Sequence, residues 1–237
     1  MALGRLDKIL AGTGAVSRRE ASRAVRDGRV TVNGAVVTVP EMKIDPAEAA
    51  VALDGKVLDC REHYYYLLNK PAGVVCATED RDQKTVLDLL PRELRRQGLF
   101  PVGRLDRDTR GLLLLTDDGS FAHRVISPSS NVEKTYEALT EGTPTEADAE
   151  AFAQGLVLGD GTRCLPARLE ILGEGLCRVS VTEGKYHQVR RMLASRGTPV
   201  KDLRRISEGM LTLPEGLAEG DWMPLGKEEL CRVFMVR

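Results

Sequence analysis

Val102-Gly-Arg-Leu-Asp-Arg-Asp-Thr-Arg-Gly-Leu-Leu-Leu-Leu-Thr-Asp-Asp-Gly119 is the stretch on which the reading of this chain turns. The apolar run Leu112 to Leu115 predicts a short buried strand, its tail is expected to turn at Asp118-Gly119, and Arg104 to Arg110 is a polar loop pinned between two strands. Polar side chains held in that way face a cleft or stand unpaired. Residues two apart in an extended segment share a face, so Arg104 and Asp106 are placed to point the same way. On physics alone a structural Arg–Asp pair and a catalytic carboxylate are equally good readings of them.

Outward from that stretch, strands and helices mingle. Residues 64–68, 73–77, 99–103, 111–116, 132–139 and 177–181 read as strands, several of them joined as hairpins without regular βαβ alternation. The fold class is therefore α+β, with a mixed, mainly antiparallel sheet flanked by helices rather than a Rossmann-type fold. His187 to Arg196 reads as a helix: Val189, Met192 and Leu193 recur at core spacing and Gly197 ends it. The first sixty residues have a grammar of their own. Leu6, Ile9 and Leu10 recur at helical spacing, and Ser17-Arg-Arg-Glu20 is a capping-box pattern opening a second helix that Gly28 closes. Asn33-Gly34 joins two alternating runs as a hairpin, and Asp54-Gly55 marks another turn. Charged Arg61-Glu62 then precedes a new apolar strand, so the expected domains are 1–60 and 61–237.

With 237 residues and a net charge of -1, the chain is not coated in positive charge for indiscriminate phosphate binding. Its charge is local. Arg5 to Arg29 holds seven bases against three acids, Lys185 to Arg205 seven against Asp202 alone, and Glu137 to Asp160 six acids and no base. Two basic patches divided by an acidic face suit selective phosphate contacts, and equally suit solvated helix faces. The five scattered cysteines lack zinc or redox spacing and read as buried thiols of a reducing cytosol. No signal segment or membrane span is evident, so a cytoplasmic protein without membrane contact is expected. No Walker or dinucleotide motif occurs, the three histidines lack metal-ligand spacing, and no serine or cysteine sits in a nucleophile elbow. No cofactor and no metal are expected.

Arg5-Leu-Asp-Lys8 through Val30-Thr-Val-Asn-Gly34 resembles the small RNA-binding domain of ribosomal protein S4. The resemblance covers about a quarter of the chain and implies binding of structured RNA, with Arg5, Lys8, Arg18, Arg19 and Arg23 as contacts; it implies nothing about chemistry. A second resemblance covers roughly residues 64 to 230. Gly103-Arg-Leu-Asp106, with Thr109, Gly111-Leu-Leu-Leu-Leu-Thr116 and Asp118-Gly119, is similar to the signature of the RsuA-type pseudouridine synthases. Asn69-Lys-Pro71 with Gly73, Ser127-Pro128, Glu133-Lys-Thr-Tyr136 and Glu183-Gly-Lys-Tyr-His-Gln-Val-Arg-Arg-Met192 follow in family order. Arg110 departs from it, standing where the family usually carries a small residue.

That second resemblance implies that Asp106 is the catalytic aspartate of uridine isomerisation, which breaks N1–C1′ and rejoins the base through C5. The carboxylate attacks C1′, adds to the base, or removes the C2′ proton; the residues do not choose among these. A carboxylate in a closed pocket stays ionised beside a cation. Lys185 is the family's candidate for it, with Arg104 as a second, and Tyr136 matches the tyrosine that stacks on the uracil. Without the motif Tyr136 would read as an ordinary sheet tyrosine. Arg190 and Arg191, at the start of the last predicted helix, make a phosphate site beside Lys185. Lys185-Tyr-His-Gln188 resembles the small-subunit branch, and the sequence ends at Arg237 without a basic tail; both point to 16S rRNA, free or in an assembling small subunit, acted on by a monomer. The alternatives are the same reaction on 23S rRNA, a non-catalytic RNA-binding or assembly protein, and a metal-dependent nuclease built on Asp106, Asp108, Asp117 and Asp118.

Overall fold

The computed structural model describes residues 3–46, 48–95 and 98–235; Arg237 lies outside them. The chain forms two compact units, one ending at His63 and the other beginning at Tyr64.

In the first unit, β1 (Gly4–Arg5) leads into α1 (Leu6–Gly12) and α2 (Arg18–Arg26). The predicted capping box opens α2: the Glu20 N–H donates to Ser17 Oγ at 3.3 Å and the Ser17 N–H to Glu20 Oε2 at 2.9 Å. Ala21, Ala24 and Val25 turn inward onto Leu6, Leu10, Val30 and Val51, while Arg18, Arg19, Arg23 and Arg26 face solvent. The strands β2 (Val30–Val32), β3 (Ala35–Val37), β4 (Lys43–Ile44), β5 (Val51–Leu53) and β6 (Lys56–Leu58) follow. β3-β2-β5-β6 form one antiparallel sheet and β1 pairs with β4. Asn33 (φ 51°) and Gly34 (φ 82°) both take the left-handed conformation that a two-residue hairpin turn demands.

The second unit is built on one large sheet. Its strands are β7 (Tyr65–Lys70), β8 (Phe100–Pro101), β9 (Thr109–Thr116), β10 (Lys134–Thr140), β11 (Arg168–Gly173), β12 (Leu176–Val181), β13 (Val200–Glu208), β14 (Leu211–Thr212) and β15 (Trp222–Pro224). Its helices are α3 (Arg92–Arg95), α4 (Gly119–Ile126), α5 (Glu146–Gln154), α6 (Gln188–Ser195) and α7 (Lys227–Arg232). The order is β11-β12-β10-β13-β9-β7-β15, with β14 on β13 and β8 on β9. β13 and β9 run parallel and the other pairs antiparallel, which is the expected mixed, mainly antiparallel α+β architecture.

β9 is a strand without a polar side because both its faces are covered. Leu112 and Leu114 pack into one core with Phe121 and Val125, Leu113 and Leu115 into another with Val86 and Leu99. Each buried leucine contributes about 1.5–3 kcal/mol. Gly111 is required at the β9–β13 crossing: at φ 102°, a Cβ there would lie 2.2 Å from the Arg205 carbonyl oxygen.

Several local expectations differ from the structure. Residues 73–77 form no strand beyond an isolated bridge between Val75 and Thr85, because the Gly73 N–H is given to the Arg107 carbonyl at 2.9 Å. The strand expected over 99–103 shortens to β8. Asp118-Gly119 is a helix start, where Asp118 Oδ1 accepts the Phe121 N–H at 3.0 Å and caps α4. β13, crowded with Lys201, Asp202, Arg204, Arg205 and Glu208, was not foreseen as a strand although it lies at the sheet's centre. Cys60, Cys164 and Cys177 are buried as expected, but Cys76 is half-buried and Cys231 is exposed on short α7.

Candidate active site

Asp106 stands in the turn that feeds β9, where the Thr109 N–H donates to the Asp106 carbonyl at 3.0 Å. The turn is held from below by Lys70, at the end of β7. Its ammonium is fully buried and donates to the carbonyls of Pro71 (3.0 Å), Arg107 (2.9 Å) and Thr109 (2.9 Å). Burial pushes this ammonium below the usual lysine range, a shift opposed by the nearby Cys76, Asp108 and Asp106. The Leu105 N–H, directed at Cys76 Sγ at 3.3 Å, fastens the turn's other flank.

The Asp106 turn forms one wall of an open cleft that also receives Arg104, Tyr136, Lys185 and His187. Four of the residues singled out from sequence, Arg104, Asp106, Tyr136 and Lys185, therefore meet although they come from three separate segments. Tyr136, on β10, is half-buried and packs against the cores on both sides of it. Burial raises its phenol above the ordinary tyrosine value, and the Arg205 guanidinium opposes that shift. Arg205 is directly opposite Tyr136 in the β10–β13 register and is itself buried; its Nε–H donates to the Leu112 carbonyl at 2.8 Å, and Nη2 lies 3.7 Å from buried Glu208 Oε2. This ion pair under the cleft floor was missed from sequence, since a charged strand reads as surface.

The Lys185 ammonium is not paired with Asp106. It bonds to the Glu183 carboxylate and donates to the Arg163 carbonyl at 2.7 Å. Glu183 Oε1 in turn accepts from Gln188 Nε2 at 2.7 Å and the Leu165 N–H at 2.8 Å. The group that stands beside Asp106 is His187, whose Nε2 is 3.4 Å from Oδ1. It caps α6 in the left-handed conformation (φ 49°), a geometry that no sequence signal announced.

Of the two arginines expected at a phosphate, Arg191 pairs with Asp160 at 2.5 Å and Arg190 reaches the Asp108 carbonyl at 3.4 Å. Arg110 is bound to Asp202 and Glu219, so the unusual arginine serves an ion-pair cluster. In the first unit, Arg5 is held by Asp7 (2.8 Å) and Glu41 (3.1 Å), and Arg23 lies 3.6 Å from Asp27; Lys8, Arg18 and Arg19 are exposed. The four-aspartate nuclease reading fails on geometry. Asp106 and Asp108 precede β9 and Asp117 and Asp118 follow it, separated by a strand of eight residues, roughly 25 Å. Asp117 accepts the Tyr64 N–H at 2.8 Å and Asp118 the Tyr65 hydroxyl at 2.7 Å. Among the described residues no three His, Cys, Asp or Glu side chains gather as metal ligands, and no helix is long and apolar enough to cross a membrane.

Comparison with known proteins gives this arrangement its class. A family model described as RNA pseudouridylate synthase matches residues 64–195, and an S4-domain model matches residues 4–49. The chain belongs to the RNA pseudouridylate synthase family and is an isomerase of that kind with an S4 domain at its N-terminus. It is 43% identical over 232 residues to the ribosomal small subunit pseudouridine synthase A of Escherichia coli (strain K12), covering 97% of this chain and 99% of that one. It is 41% identical over 230 residues to an RNA pseudouridine synthase of Bacillus subtilis (strain 168), covering 95% and 96%. A crystal structure of a pseudouridylate synthase superposes with a TM-score of 0.69 at 37% identity, covering 98% of this chain and 100% of that chain.

Proposed function

We propose that this enzyme isomerises one uridine of ribosomal RNA, in the 16S rRNA of the small subunit, and that Asp106 is its catalytic carboxylate. The observation that carries the assignment is the convergence of Asp106, Tyr136 and Lys185 on one cleft, with the Asp106 turn clamped beneath by Lys70. The relatives named for the small ribosomal subunit, similar over nearly the whole chain, support the choice of RNA.

The target nucleotide leaves its stack to enter the cleft, at a cost of a few kcal/mol least for a loop or disrupted helix. Tyr136 offers its ring to the uracil and Asp106 its carboxylate to the sugar or base. The N1–C1′ bond breaks, the base turns, C5 bonds to C1′, and the C5 proton leaves while N1 takes one up. Lys185, 36% exposed on its Glu183 partner, is the mobile cation that supports the carboxylate once RNA fills the cleft. Exposed Arg18, Arg19 and Lys8 of the S4 domain grip phosphates of the same RNA.

The test is tritium release from 5-tritiated 16S and 23S transcripts by the wild type and Asp106→Asn, with chelator present. Release from 16S rRNA, mapped to a single uridine and absent in the variant, is expected. Release from 23S rRNA alone transfers the assignment to the large subunit. Full activity of Asp106→Asn removes the aspartate from the chemistry. A kinetic isotope effect with 2′-deuterated uridine then singles out the route that removes the C2′ proton.

A further inference from the structure

The rim of the cleft carries an aromatic surface that the proposed chemistry leaves unused. Tyr186 is 75% exposed, and among the described residues it is the exposed one of the five tyrosines. Its ring lies on the imidazole of His187, with centroids 3.8 Å apart and planes at 20°. The same imidazole lines the cleft, and its Nε2 is 3.4 Å from Asp106 Oδ1. His187 holds a left-handed backbone (φ 49°, ψ 33°), which a residue with a Cβ adopts only where its surroundings hold it there.

Two arginines of α6 lie near the stack, one of them, Arg191, paired with Asp160. Arg191 Nη1 donates to the Tyr186 carbonyl at 3.3 Å, and Arg190 Nη2 lies 3.4 Å from the Asp108 carbonyl on the Asp106 side. A flat ring with one face covered and the other exposed, beside cations and at the mouth of a cleft that admits an extruded nucleotide, matches what single-stranded RNA presents. A nucleobase has a π-face of any sequence and a phosphate on either side of it.

We propose that the Tyr186–His187 stack is a second base platform, which takes the nucleobase adjoining the target uridine and is joined to Asp106 through His187. The proposal rests on the reading of this cleft as the site of uridine isomerisation. Stacking of the neighbouring base holds the strand splayed while the uridine occupies the inner site, and it does so without reading base identity. Tyr186 is therefore a substrate-binding residue, and His187 a positioning residue between platform and carboxylate.

The experiment uses the full chain and the 5-tritiated 16S transcript, followed by a short synthetic RNA around the mapped uridine. Base stacking on an aromatic ring is worth about 5- to 150-fold in affinity. Tyr186→Ala is expected to raise KM about 10-fold with kcat within about twofold, Tyr186→Phe to match the wild type, and thermal midpoints to stay unchanged. Replacing the nucleotide beside the target by an abasic one is expected to weaken the wild type similarly and to leave Tyr186→Ala no worse. An unchanged KM in Tyr186→Ala, or losses that multiply when the abasic RNA meets the alanine variant, overturns the platform while leaving the isomerase reading intact. Absence of release by the wild type from every RNA overturns both.

Discussion

The turn that bears Asp106 is gripped by one buried ammonium through two main-chain carbonyls, those of Arg107 and Thr109, whereas the segment facing it, residues 183–187, is held by side chains close to solvent. Lys70 is fully buried, so displacing the turn would strip a cation of its bonds to the carbonyls of Arg107 and Thr109 away from water. Lys185 gives up a pair that is partly exposed, which costs little in water. The difference teaches which wall yields when RNA enters. On the proposed reading, the backbone that carries Asp106 is held before substrate arrives, and the cations opposite it exchange protein partners for phosphate or for Asp106 itself.

Changes at the two walls should therefore fail in different ways, and the largest effect is expected beneath the fixed one. Lys70→Met removes one donor from each of the carbonyls of Pro71, Arg107 and Thr109, of which that of Arg107 keeps the Gly73 N–H, and each unmade buried bond costs about 1–3 kcal/mol. A drop of about 3 kcal/mol or more in unfolding free energy by urea titration is expected, together with loss of tritium release. A variant as stable and as active as the wild type would break the comparison, since the Asp106 turn would then stand without its clamp.

Lys185→Met, on the opposite wall, is expected to change stability by less than about 0.5 kcal/mol, as for a partly exposed pair. Turnover is expected to fall about 100-fold, the scale for removing one charge-stabilising group from an active site. Single-turnover tritium release at saturating RNA measures the second effect and thermal unfolding the first. A loss of stability equal to that of Lys70→Met, with turnover kept, would show that residue 185 serves the fold and would erase the contrast.

The two walls were also unequally legible in the sequence. The Asp106 turn is framed by Leu112–Leu115, whose unbroken apolar run has one good home, a strand covered on both faces. α6 was legible because Val189, Met192 and Leu193 repeat at helical period and are all buried. The partners of each wall were not. Lys70 belongs to a short Asn-Lys-Pro motif that gives no hint of which carbonyls it meets, because those lie across the chain at residues 107 and 109. β13 escaped notice because Arg205 and Glu208 are buried by neutralising each other, a condition visible only in three dimensions. His187 reads as the first residue of a helix, and its approach to Asp106 depends on a positive φ that histidine does not advertise. Asp118-Gly119 misled for a related reason: aspartate before glycine suits a turn and a helix N-cap equally well.

The smallest expected effect sharpens the comparison from behind the adaptable wall. Asp148, in the first turn of α5, accepts the Thr145 N–H at 2.8 Å and, on its other oxygen, Arg196 Nε at 2.7 Å. Arg196 follows the last turn of α6, so this contact anchors the end of the helix farthest from His187. The Thr145 N–H bond, with help from Arg196, holds the Asp148 carboxyl below the usual carboxylate value, against the opposing effect of burial. A carboxyl depressed in the folded state stabilises the protein above its unfolded-state value, near 3.9, and loses that contribution as pH falls through the folded one. Asp148→Asn should thus cost about 1 kcal/mol at neutral pH, and the gap from the wild type should narrow as pH is lowered below about 4. Turnover at neutral pH should stay within about twofold of the wild type, because the adjustable part of that wall is the segment before α6 and not the helix itself. Urea titrations at neutral and acidic pH, paired with tritium release, measure both. A fall in turnover comparable to that of Lys185→Met would mean that the wall moves as one body with α6, and that the cations reach substrate by a shift of the helix rather than by exchange of side-chain partners.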